Sequence, residues 1–345
     1  MIYFNNDYSE GCHPLVMDEL IRTNMVQTSG YGCDPYCKEA AETIRNLCDN
    51  ADLSVHFLVG GTQTNMTVIN ALLRPYQGVL TADSGHINVH ETGAVESTGH
   101  KVLGLPSDDG KITARQILQA HSQHTTDADS EHTVQPKMVY ISNPTELGTI
   151  YSRKELRDIS DACKKCGYYL FLDGARLGYG LTASDNDVTL ADLAQTCDVF
   201  YIGGTKVGAL FGEAVVFSNN ELARDFRYLI KQHGAMLAKG RLLGVQFRAL
   251  LKDGLYFEIA RKANELADRI RNTLDCLGYS YLVPGTTNQI FAILPDKLLN
   301  KLSAEFTFSE QKRVDDSHRA VRFCTSWATT EENVNALCNA LIKYS

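Results

Sequence analysis

Tyr169-Leu170-Phe171-Leu172-Asp173-Gly174-Ala175-Arg176 is an apolar run that ends abruptly in charge. A second run of the same kind, Tyr201-Ile202-Gly203-Gly204-Thr205-Lys206, follows it. Short apolar runs bounded by turn residues make buried strands. In an open α/β sheet the carboxyl ends of the strands meet at one crevice, and ligands bind there. The two runs therefore deliver an acid, an arginine and a lysine to a single crevice. An amine in such a place forms a Schiff base with an aldehyde. An acid there keeps a pyridine nitrogen protonated, so that the ring accepts electrons. An arginine grips a carboxylate with two parallel hydrogen bonds. These are the requirements of pyridoxal 5′-phosphate chemistry.

Working outward, Ser54–Val59 reads as a strand, followed by Gly60-Gly61-Thr62-Gln63 and a helical stretch to Leu73. Two glycines allow close backbone approach, and a helix N-terminus offers free N–H groups to a phosphate. Gly78–Ala82 is strand-like, and His86 opens the next helical stretch just beyond it. An imidazole at that position can stack on a flat ring or act as a base near neutral pH. Further strands are expected at Lys101–Leu105, Val139–Ser142 and Ala214–Phe217, and a helix over 152–166. Strands alternating with helices predict a mostly parallel sheet with right-handed crossovers. Residues 121–135, rich in His, Ser, Thr and Asp, are expected to form a surface loop. Glu221–Gln232 is expected to be one helix, and Arg241–Leu277 two more, with Gly254 between them. Gln289–Leu294, Val321–Thr325 and a helix from about Thr330 suggest a small α+β unit. The expected organisation is an N-terminal arm over 1–30, a large α/β domain over 31–250 and a small C-terminal domain over 251–345.

Composition narrows the function. A formal net charge of −8 with no basic block argues against nucleic-acid binding. No run approaches the length of a membrane span. The first residues, Met1 to Asp7, lack a basic start and a long apolar stretch, so a secretory signal is not expected. Ten cysteines occur without a second pair or histidine partners at metal-ligand spacing, although Cys163 and Cys166 form a C-x-x-C. Ordinary thiols in a reducing cytoplasm, and no metal, are the expectation. The G-x-G-x-x-G spacing of a dinucleotide site is absent.

The chain resembles the threonine aldolase family, the β-eliminating lyase/aldolase group of fold-type-I pyridoxal-phosphate enzymes. The likeness rests on Gly61-Thr62, His86 with Glu91-Thr92-Gly93-Ala94, Asp173-Gly174-Ala175-Arg176 and Thr205-Lys206. Lys231-Gln232-His233-Gly234-Ala235-Met236 and Arg322-Phe323-Cys324-Thr325 extend it. The resemblance implies cleavage of a β-hydroxy-α-amino acid, such as L-threonine or L-allo-threonine, to glycine and an aldehyde. It implies Lys206 as the Schiff-base lysine, beside Thr205, and Asp173 as partner of the pyridine nitrogen. His86 would stack on the ring, and Gly61, Thr62 and Gln63 would lie at the phosphate. Arg176 and Arg322 would hold the substrate carboxylate, with Asn6 or Ser9 nearby, and Lys231 would lie near the phosphate or the substrate hydroxyl. Family members are usually homotetramers built from dimers, so a homo-oligomer is expected. Where some members carry a histidine after Asn143, this chain reads Pro144-Thr145-Glu146. His86, a water it holds, or Lys206 are the candidate proton carriers. The rival readings are another pyridoxal-phosphate lyase, such as a β-eliminating one, and a catalytically silent binding protein of the same fold.

Overall fold

A computed structural model describing residues 1–345 places the two apolar runs side by side. The chain begins with a short strand, β1 (Ile2–Tyr3), and a helix, Pro14–Thr23. Seven strands then build the central sheet: β2 (Ser54–Leu58), β3 (Gln77–Ala82), β4 (Lys101–Leu105), β5 (Gln135–Ser142), β6 (Tyr169–Asp173), β7 (Val199–Gly203) and β8 (Glu213–Phe217). Their order is β2-β8-β7-β6-β5-β3-β4. Only β8 runs against the rest, being antiparallel to both of its neighbours. The carboxyl ends of β2, β3, β5, β6 and β7 therefore open on the same edge.

The alternation of side chains along each strand divides the interior in two. Leu170, Leu172, Phe200 and Ile202 enter one core, where helices Pro35–Leu47, Arg153–Cys166 and Arg241–Leu251 cover the sheet. Phe171, Val199 and Tyr201 point the other way, toward helices Gly61–Leu72 and Phe226–Gln232. Asp173 shares the parity of Phe171, so its carboxylate emerges on the second face. The backbones of β6 and β7 converge just past their ends. A Cβ on Gly174 would lie 1.8 Å from the Tyr201 carbonyl oxygen, and one on Gly203 would lie 2.4 Å from that of Ala175. Glycine at both positions is thus a condition of bringing Asp173 and Lys206 together.

Beyond the sheet, a kink at Asp253-Gly254 separates Arg241–Leu251 from the long helix Leu255–Cys276. The C-terminal sheet holds β9 (Tyr281–Val283), β10 (Gln289–Pro295), β12 (Ser309–Arg313) and β13 (His318–Cys324) in the order β12-β13-β10-β9. A further strand, β11 (Phe306–Thr307), pairs in parallel with β1. Phe4 is sealed in the third core, together with residues of Leu255–Cys276, β10, β13 and the last helix, Glu331–Tyr344.

Two expectations need correction. Residues 121–126 are helical, because Ala114–Thr126 runs on from a capping box made by Thr113 and Gln116. Glu221–Gln232 is two helices, Asn220–Ala223 and Phe226–Gln232, separated at Arg224-Asp225.

Candidate active site

Lys206, Asp173, His86 and Arg176 line one small cavity at the carboxyl edge of the sheet, together with Gly61 and Glu146. The roomier clefts beside Tyr31 and Arg227 share no residue with it. Lys206 follows β7 in a turn held from behind by Glu213, a buried carboxyl on β8. Glu213 accepts hydrogen bonds from the Gly204 N–H, at 3.2 Å, and the Thr205 hydroxyl, at 2.8 Å. Thr205 thereby faces the sheet. Burial pushes Glu213 up to about 8. The Lys206 amine makes no ion pair or hydrogen bond in the protein. Burial, then the Arg176 guanidinium, lowers its pKa, against the pull of Asp7, Asp173 and Glu213. An amine so held is readily deprotonated to the nucleophilic form.

Asp173 is buried with four donors around its carboxylate. Tyr201 Oη and the Ala175 N–H reach Oδ1 at 2.5 and 2.9 Å. Asn65 Nδ2, at 3.0 Å, and Tyr140 Oη reach Oδ2. Burial alone would raise this carboxyl; the charge of His86 and the two tyrosine hydroxyls more than offset it, and Asp173 is held below its usual range. Neither tyrosine is noticed from the sequence, yet the signal is there. Tyr201 shares the alternation of the β7 face toward Asp173, and Tyr140 pairs across to Phe171, two residues before it. Asn65 projects from the first turns of helix Gly61–Leu72.

His86 opens the short helix His86–Val89 after β3. Its Nδ1 lies 2.7 Å from Glu91 Oε1, which also accepts from Asn65 Nδ2 at 2.7 Å. Burial would lower the imidazole; the Glu91 hydrogen bond, then the Asp173 charge, raise it instead. Next to it, Glu146 Oε1 accepts from Ser142 Oγ at 2.6 Å and from the His86 N–H at 3.0 Å.

Arg176 meets a partner that the sequence does not announce. Its Nε and Nη2 contact the two carboxylate oxygens of Asp7 at 2.7 and 2.9 Å. Asp7 is fully buried and also accepts from Asn288. Asn6 and Ser9, beside it in the arm, bond to each other at 3.0 Å. Arg322, on β13, donates to Gln289 and to the Asn5 carbonyl, and leaves its buried Nε unpartnered. Lys231 lies outside the cavity, its ammonium 5.0 Å above the Tyr31 ring. Gln63 is turned to the His233 carbonyl, and Thr62 is exposed.

The helix Gly61–Leu72 begins beside Tyr201, where a Cβ on Gly61 would lie 3.2 Å from the hydroxyl. No side chain caps this end, so its first N–H groups are free to meet an anion. A free amine, an ionised acid beyond it and an uncapped helix start converge on one cavity. The residues present therefore fit pyridoxal 5′-phosphate.

The sheet order and this site define a fold-type-I pyridoxal-phosphate enzyme. Residues 9–297 match the model of the beta-eliminating lyase family, and the chain belongs to that family. A low specificity L-threonine aldolase from a Pseudomonas species is 31% identical over 343 residues, covering 97% of this chain and 95% of its own length. The solved structure of Leishmania major threonine aldolase superposes with a TM-score of 0.97 at 45% identity, covering 99% of each chain. Thermus thermophilus aspartate aminotransferase shares the fold, with a TM-score of 0.73 at 15% identity over 100% of this chain and 92% of that one.

Proposed function

We propose that this chain cleaves β-hydroxy-α-amino acids, L-threonine and L-allo-threonine among them, to glycine and an aldehyde. The observation that carries this reading is the pairing of Lys206 and Asp173 on neighbouring strand ends in a cavity that also holds His86 and Arg176. When bound, pyridoxal 5′-phosphate supplies an aldehyde for an amine and a ring that accepts an electron pair from the substrate's α-carbon. Lys206 would hold the cofactor through its amine, and Asp173 would hold the proton on the pyridine nitrogen. His86, fixed by Glu91, would cover the ring. The backbone N–H groups of Gly61, Thr62 and Gln63, at the uncapped helix start, would meet the phosphate.

Arg176 would bind the substrate carboxylate. Its geometry favours that role, because Asp7 occupies the Nε and Nη2 edge and fixes the plane, leaving Nη1 uncommitted. Arg322, with Asn6 and Ser9, would lie on the same side. Binding the carboxylate fixes which bond at the α-carbon stands ready to break. The names of the relatives support aldol cleavage over β-elimination. Product analysis tests the choice: glycine with acetaldehyde from L-threonine is expected, and pyruvate with ammonia would refute it.

The same proposal includes a cytoplasmic homo-oligomer, a tetramer built as a dimer of dimers. Exposed Leu15, Ile21, Met25 and Tyr228 support a covered apolar surface. Lys231, remote from its own cavity, is suited to act across such an interface. Light scattering of the purified protein tests the subunit count. The division into an arm (1–30), a cofactor-binding domain (31–250) and a C-terminal domain (251–345) also belongs to the proposal. Helix Leu255–Cys276 supports it, since Tyr256–Ala263 enter the large core and Leu266–Leu274 the small one.

A further inference from the structure

Aldol cleavage needs a base for the β-hydroxyl, and the cavity holds six titratable side chains: His86, Glu146, Asp173, Arg176, Tyr201 and Lys206. Five have other commitments. Asp173 is the acid assigned to the pyridine nitrogen under the reading above and is held in place by four donors, of which Tyr201 is one. Arg176 is paired with Asp7 and cannot be deprotonated. Lys206 is the amine that holds the cofactor under the reading above, on which this inference rests. His86 is committed through Nδ1 to Glu91 at 2.7 Å, which holds the imidazole in the orientation assigned to it over the ring.

Glu146 remains. One of its oxygens, Oε1, is fixed by Ser142 Oγ and the His86 N–H. The other, Oε2, has no hydrogen-bond partner and is not sealed in the interior, although the residue is more than half buried and lines the cavity. The turn that carries it is pinned: Thr145 N–H donates to the Thr149 carbonyl at 2.8 Å, and Thr149 Oγ1 donates to the Asp109 carbonyl at 2.7 Å. A carboxylate with one oxygen anchored and the other free is oriented for proton transfer. Burial raises this carboxyl above its usual value, the Ser142 hydrogen bond opposing and the Asp173 charge adding to it. That places it closer to the strength of a base working near neutral pH.

We propose that Glu146 Oε2 is the base that takes the proton from the substrate's β-hydroxyl. The O–H bond breaks and its proton passes to Glu146. The oxygen's electron pair becomes the second bond of the aldehyde carbonyl, the Cα–Cβ bond breaks, and its pair stays with the glycine portion. No oxidant or reductant is required. The α-carbon then takes one proton from Lys206 or solvent to complete glycine, and Glu146 gives up the proton it accepted once the aldehyde has left, so the proton count is unchanged.

The test uses the holoenzyme and Glu146→Gln, which keeps the size of the side chain and its contacts to Ser142 and His86. Three quantities are read: the visible absorbance of bound cofactor, the dissociation constant for glycine by calorimetry, and kcat for L-threonine cleavage. Glycine lacks the β-hydroxyl, so its affinity should stay within about threefold of wild type, with absorbance retained, while kcat falls by about 10²–10⁴-fold. Cleavage within about fivefold of wild type would overturn the assignment, as would loss of glycine binding and cleavage in parallel. If Glu146→Gln does not fold, Glu146→Ala with added formate replaces it: formate restoring cleavage supports the assignment, and no restoration in a variant that binds glycine refutes it. Failure of the wild-type enzyme to release an aldehyde would instead refute the aldol reading itself.

Discussion

Replacing Asp7 by alanine removes the counter-charge of a buried arginine. The Arg176 side chain is only 12% exposed and Asp7 is fully buried, with contacts of 2.7 and 2.9 Å between them. Breaking one side of a buried pair costs about 3–5 kcal/mol, because the remaining charge stays desolvated and unpaired. Unfolding entropy of about 2.1 cal/mol/K per residue, over 345 residues, is about 0.7 kcal/mol/K, so the melting temperature should fall by ~4–7 °C. The assay is differential scanning calorimetry of the cofactor-loaded enzyme at fixed protein concentration. The variant Asp7→Ala/Arg176→Met separates charge from packing: with no charge left buried, it should recover part of the loss. An Asp7→Ala melting temperature within about 1 °C of wild type would refute the reasoning. So would a double variant whose loss equals the sum of the single ones, since additivity means no coupling.

Three further outcomes follow from the same geometry. Lys206→Ala should abolish the visible absorbance of bound cofactor and the activity together; retained absorbance would show that another group holds the cofactor. Gly203→Ala should fail to bind cofactor or to accumulate as soluble protein, since the new Cβ would meet the Gly174 and Ala175 carbonyl oxygens at 2.6 and 2.4 Å; a normal melting curve with normal cofactor content would contradict it. His56 is pushed down to about 4 by burial, from an ordinary value of 6.5. The folded protein keeps it neutral while the unfolded chain binds a proton, so stability is full above pH 6.5 and declines as pH falls toward 4. His56→Phe should flatten that part of the melting-temperature profile, and an unchanged slope would assign it to other groups.

The sheet was legible because its strands are both apolar and short, and because their charged ends stand out against them. Asp173 and Lys206 could be placed together because each ends a buried apolar strand, and such strand ends meet in one crevice. The helix Ala114–Thr126 was harder to see: it buries only Ile117 fully, so its polar surface hides the periodicity, although the Thr113–Gln116 capping box marks its start. The break at Arg224-Asp225 was hidden for the opposite reason. Leu222, Phe226 and Ile230 keep a four-residue spacing across it, as an unbroken helix would. Asp7 carries no local signal at all, being 169 residues from the arginine it neutralises. Glu146 lies in Pro144-Thr145-Glu146, where some members of the family carry a histidine, but its anchored oxygen is a product of tertiary folding.

The parallel pairing of Ile2–Tyr3 with Phe306–Thr307, and the seating of Phe4 in the C-terminal core, bear on how the enzyme is made. Ile2–Tyr3 and Phe4 have no place to rest until Phe306–Thr307 and the C-terminal core have been synthesised. Through all that time Asp7 is untethered, and Arg176 lacks its neutralising neighbour. A chain that stops short of Phe306 therefore lacks the strand that anchors the arm, and with it the support that presents Asp7 to Arg176.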